Sequence, residues 1–173
     1  GGTARRDAFI GDGGFGLLDR DLYKVSLAAG ATLNISAVAT LAANAPLGAV
    51  PALNTALRVF DANGKEITNS APASSKDSRI DGLVIRDGGV YYIAVTEGAN
   101  TAYNPLVVTS GVPAATTGTY TLSVVVTSGV SDRPLSLDGT NLDVGFNPGG
   151  TFYSNPGVAP GTATGEVGLR WHN

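Results

Sequence analysis

Apolar residues recur at every second position in run after run of this sequence, a period that suits extended strands with one buried face. In DLYKVSL, Tyr23, Val25 and Leu27 fall on one side, with Lys24 and Ser26 on the other. ATLNISAV repeats the pattern with Leu33, Ile35 and Ala37, and GTYTLSVVV with Tyr120, Leu122, Val124 and Val126. LNTALRVFDANGKEI reads as two strands joined by a tight turn in which Gly64 suits a positive φ. A helical period never persists through several turns. Strands at this spacing, parted by Gly- and Pro-containing turns, predict an all-β fold: an antiparallel, jelly-roll-like β-sandwich.

One strand breaks the one-faced rule. In VYYIAV, Tyr91, Ile93 and Val95 share one face, while Val90, Tyr92 and Ala94 make the other apolar as well. A strand solvated on one side carries polar residues there, so the second face of this one calls for a cover. The texture changes after Val126, where Gly and Pro become dense. The expected organisation is a Gly/Asp-rich lead over 1–18, the sandwich over 19–127, and a Gly/Pro-rich extension over 128–173. The large apolar groups of that extension (Val144, Phe146, Phe152, Tyr153 and Trp171) predict that it packs back on the sandwich, over Tyr92, or on a partner.

Composition narrows the function. Hydrophobic residues make up 43% of the 173 and charged residues only 14%, so the chain is too apolar for disorder. The net charge is −3, and the Lys and Arg residues are scattered apart from Arg5-Arg6, which argues against a nucleic-acid partner. The absence of Cys removes disulfides, thiolate metal sites and thiol catalysis. No apolar run is long enough for a membrane-spanning helix. The absence of Met, even at position 1, suggests a piece of something longer.

Chemistry-bearing candidates are few. The sole histidine, His172, is the penultimate residue, a poor place to hold an imidazole between a nucleophile and a carboxylate. GDGGFG, residues 11–16, matches a dinucleotide fingerprint in letters only, because a strand follows it where a helix is needed. No recognisable glycosidase arrangement frames any pair of acids, and the NIS sequon at Asn34 lies on a predicted strand. No catalytic residue is assigned. The acidic group Asp7, Asp12, Asp19 and Asp21 is the candidate metal site, since calcium takes six to eight oxygens from carboxylates and loop carbonyls. Tyr92, Tyr103, Tyr153 and Trp171 are candidates for a ligand or partner surface, as aromatic groups anchor interfaces.

Four segments in order, DRDLYKVSLAAGATLNI, ALNTALRVFDANGKEI, DSRI…GGVYYIAV and TGTYTLSVVV, resemble the bacterial pre-peptidase C-terminal domain from about Asp19 to Val126. The resemblance implies a secreted, noncatalytic β-sandwich appended to extracellular bacterial proteins. It is similar also to the collagen-binding domains of clostridial collagenases, which implies a Ca2+ ion near the D-x-D of Asp19 and Asp21 and exposed tyrosines that meet an insoluble polymer. The reading is therefore an extracellular or cell-surface accessory domain that attaches to a protein or polysaccharide polymer. The alternative is a structural subunit of a surface layer, filament or larger complex, its tail and apolar outer face packed on neighbouring protein subunits.

Overall fold

The computed structural model describes residues 2–128, apart from 13–15, 73–74 and 108. Eight strands run in the order β1 (Gly2–Ile10), β2 (Arg20–Leu27), β3 (Thr32–Ala39), β4 (Thr55–Asp61), β5 (Glu66–Ser70), β6 (Ser78–Val84), β7 (Gly89–Glu97) and β8 (Gly118–Ser128). They form two antiparallel sheets, ordered β1-β8-β3-β6 and β2-β7-β4-β5. Apart from the β4–β5 hairpin, every connection crosses to the other sheet, which is the winding of a jelly roll. The expected all-β sandwich is what forms.

The inward faces are those the alternation marks. Tyr23, Val25 and Leu27 of β2, Leu33, Ile35 and Ala37 of β3, and Tyr120, Leu122, Val124 and Val126 of β8 are buried in one cluster with Leu57, Val59 and Ile93. Thr55 stitches the sheets: its hydroxyl donates to the Ala37 carbonyl at 2.8 Å and meets the Ser78 hydroxyl at 3.0 Å. The hairpin turn closes as its sequence suggests. Gly64 has φ of 77°, and the Asp61 carboxylate accepts the amides of Asn63 and Lys65 at 2.8 and 2.9 Å.

Residues 2–10, read from the sequence as part of a lead, form the edge strand β1, with Asp7 opposite Thr121 and Ile10 opposite Gly118. The strand was hard to read because only small groups, Ala4 and Ala8, pack on the core before Ile10. Its outward Arg5 and Asp7 put charge on an edge, which discourages pairing with other chains.

The connections are sorted by length. Four long ones, 11–19, 40–54, 71–77 and 98–117, all lie at one end of the sandwich. The short turns 28–31, 62–65 and 85–88 lie at the other, as do Gly2 and the C-terminal end of β8. The extension beyond Ser128, with Tyr153, Trp171 and His172, lies outside the described residues.

Candidate functional site

The outer face of the second sheet is where the two-faced strand β7 looks. Cross-strand pairing sets Leu22, Ala94 and Arg58 in one row and Lys24, Tyr92 and Phe60 in the next. Sheet order β2-β7-β4 thus places Arg20 and Arg58 on either side of β7, on strands far apart in sequence. Loop 98–117 leaves β7 and folds back over this face, so Tyr103 packs with Leu22, Phe60, Tyr92 and Ala94.

Two guanidiniums hold the loop down. Arg58 stacks between the rings of Phe60 and Tyr103, 4.7 and 4.3 Å from their centroids. It donates to the Tyr103 carbonyl at 2.7 Å and pairs with Glu66 at 2.5 Å. Arg20 covers the Tyr103 ring at 4.6 Å and donates to the Ser110 and Val107 carbonyls. Apart from the Glu66 pair, each contact joins a planar cation to an aromatic face or a carbonyl, a geometry that suits a guanidinium. At the base of the loop, the buried Glu97 carboxylate accepts the Ala99 and Ala115 amides and the Thr116 hydroxyl.

This arrangement corrects the expected aromatic surface. Tyr92 is 5% exposed and Tyr103 2%, so neither ring is presented to a ligand. Their cover is the loop that carries Tyr103 itself.

The four aspartates go to different places. Asp7 is on the exposed side of β1, accepting the Thr121 hydroxyl near Arg5. Asp12 is exposed in loop 11–19. Asp19 is buried at the end of that loop and accepts the Gly11 amide. Asp21 turns between the sheets, where it accepts the Tyr120 hydroxyl at 2.5 Å, itself 2.6 Å from the Tyr23 hydroxyl. Among the described residues, no three acidic or histidine side chains converge as a metal cluster.

Residues 19–97 match the family model of the bacterial pre-peptidase C-terminal domain. This segment belongs to that family. Comparison with curated proteins returned no match. The pre-peptidase C-terminal domain is a small β domain often found in secreted proteases, where it is accessory and noncatalytic. The matched stretch spans β2 to β7, and β1 and β8 complete the first sheet around it. No helix among the described residues is long and apolar enough to cross a membrane.

Within the domain, Arg20, Arg58 and Glu97 were missed by sequence reasoning. The signal available was the doubly apolar VYYIAV, which demands a cover without saying which segment supplies it. Substituting lysine for Arg58 keeps the charge but removes the stacked plane and the fork. It should cost about 1–2 kcal/mol, read as a lower denaturant midpoint.

The buried phenols make the domain sensitive to alkali. Burial pushes Tyr103 up to about 12, against the pull of the Arg58 and Arg20 charges, and Tyr92 likewise to about 12. Burial, reinforced by Asp21 and Tyr23, lifts Tyr120 well above 10. Folded values above the unfolded one mean that this contribution is complete below about pH 10 and lost as pH climbs towards 12. Phenolate absorbance should therefore rise together with unfolding in an alkaline titration. Three phenols ionising near pH 10 in the intact fold would contradict that.

Proposed function

We propose that this chain is the noncatalytic accessory domain of a secreted bacterial protein and works outside the cell by attachment. On this reading it holds its parent protein on an extracellular polymer, protein or polysaccharide, or delivers it to its substrate. The family match over β2 to β7 carries the proposal. The sandwich supports it too, since four long loops lie together at one end of a two-sheet scaffold. Binding residues belong on loops held by a rigid scaffold.

The alternative, a structural subunit, drew its support from an outer face of β7 that needed neighbours and from the extension over 128–173, which lies outside the described residues. That face is covered by loop 98–117 of the same chain, so the observation no longer favours it.

The test is retention. A fluorescent reporter fused to the full chain should stay on an insoluble protein or polysaccharide, or on bacterial cells, when the reporter alone washes off. Equal wash-off on all of them would refute attachment.

We further propose a calcium ion at loop 11–19. Asp12 and Asp19 support it, the second by closing that loop on Gly11, though two carboxylates supply only part of the oxygen set and loop carbonyls or water must supply the rest. Excess calcium should raise the thermal midpoint and chelator reverse the rise. An unchanged midpoint would remove the ion from the account.

A further inference from the structure

The β4–β5 hairpin turn carries the only Asn-Gly pair in the sequence, Asn63-Gly64. Asn63 is exposed, and the glycine after it has no side chain to shield its backbone nitrogen. Such a pair has a reaction of its own. The Gly64 nitrogen attacks the Asn63 Cγ, ammonia carries away the amide nitrogen and the displaced proton, and a five-membered imide closes. Water then opens the imide at one of its two carbonyls. One product is aspartate. The other is isoaspartate, in which the main chain runs through the former side-chain carbonyl and is longer by one carbon.

The folded turn holds this reaction back. The Gly64 amide donates to the Asp61 carbonyl at 3.1 Å, so the proton that must leave is engaged. The Asp61 carboxylate accepts the Asn63 and Lys65 amides at 2.8 and 2.9 Å, and the Asp61 amide donates to the Lys65 carbonyl at 2.9 Å. These bonds, all made by Asp61, fix the backbone on both sides of the reacting pair. Attack needs an aligned approach of nitrogen to carbon, so it proceeds through turns that have opened. The rate then follows the population of the open hairpin.

The turn also positions Glu66, the first residue of β5, opposite Phe60. The Glu66 carboxylate pairs with Arg58 and accepts the Asn69 side-chain amide at 2.6 Å, and Arg58 grips Tyr103 of loop 98–117. Because β5 is an edge strand of five residues, its register on β4 depends on the turn. An extra backbone carbon at 63 breaks the Asp61 bonds and moves Glu66 off Arg58. We propose that Asn63 is a self-modification site, whose conversion to isoaspartate is gated by the Asp61 turn and loosens the Arg58 hold on loop 98–117. The change is irreversible and consumes only water.

Incubation of the full chain in mildly alkaline buffer tests the proposal, read by peptide mass spectrometry with fragmentation that separates aspartate from isoaspartate. Conversion is expected at Asn63 ahead of every other Asn, and at least about tenfold slower in the native chain than in urea. Asp61→Ala should speed the native reaction about fivefold, whereas Asp61→Asn keeps an acceptor for both amides and should stay close to the parent. The converted chain, resolved by its added charge, should be cleaved about threefold faster within 98–117 in limited proteolysis. Asn63→Asp has the charge without the extra carbon and should keep the parent's cleavage rate. No conversion of Asn63 in the native chain, equal rates in native and unfolded chain, or a converted chain cleaved no faster would each overturn the proposal. Equal cleavage of Asn63→Asp and the converted chain would assign the effect to charge and overturn the role of the lengthened backbone.

Discussion

Replacing Tyr103 with alanine should lower folding stability by about 3–5 kcal/mol, the cost of deleting a buried aromatic ring. The loss is larger than packing alone because the ring is the shared platform of two guanidiniums, Arg20 and Arg58. Without it, the Leu22, Phe60, Tyr92 and Ala94 face loses its central cover. Chemical denaturation gives the magnitude. Limited proteolysis gives the location, since cleavage should concentrate in 98–117 while the two sheets persist. Tyr103→Phe keeps the ring on both cations and should stay close to the parent protein. A small loss for Tyr103→Ala, with no new cleavage, would mean that the loop is held by Glu97 and the arginine–carbonyl contacts instead.

The second large effect is expected between the sheets. Tyr120→Phe removes the hydroxyl that donates to the buried Asp21 carboxylate and contacts Tyr23, and should cost about 1–3 kcal/mol. Tyr120→Ala adds the cavity left by a fully buried ring and should reach at least about 3–5 kcal/mol. Leaving a charged acceptor short of a donor is what makes the first change expensive. The pair Tyr120→Phe with Asp21→Leu should therefore lose less than the sum of its two single changes. Strict additivity would show that the two groups are not coupled.

Taken together, the buried polar groups point to architecture. Asp21 joins the sheets, Glu97 closes a loop, and Arg20 and Arg58 fasten that loop to its sheet. Carboxylates and arginines that would suggest chemistry in a list of residues are committed to holding the jelly roll together.

Strand positions were legible because alternation is local: each face of β2, β3 and β8 can be read from a few neighbouring letters. Gly64 was legible for the same reason, since a tight turn constrains its own backbone. β1 was not, because alanines and a glycine supply little hydrophobic contrast along GTARRDAF. That the aspartates go to different places was not legible for another reason. Their closeness in sequence suggested a common site, but Asp21 faces the core from β2 while Asp7 faces solvent from β1.

The sequence by itself determined that this chain is an antiparallel sandwich, with a glycine-closed hairpin and one strand that must be covered on both sides. Only the tertiary structure decided what does the covering. The order β2-β7-β4 brings Arg20 and Arg58 to flank β7, and from there they capture the loop that β7 itself leads into. Periodicity records which faces are apolar, whereas the partner of a face depends on contacts between residues distant in the chain. That is why the need for a cover was written in VYYIAV and its identity was not.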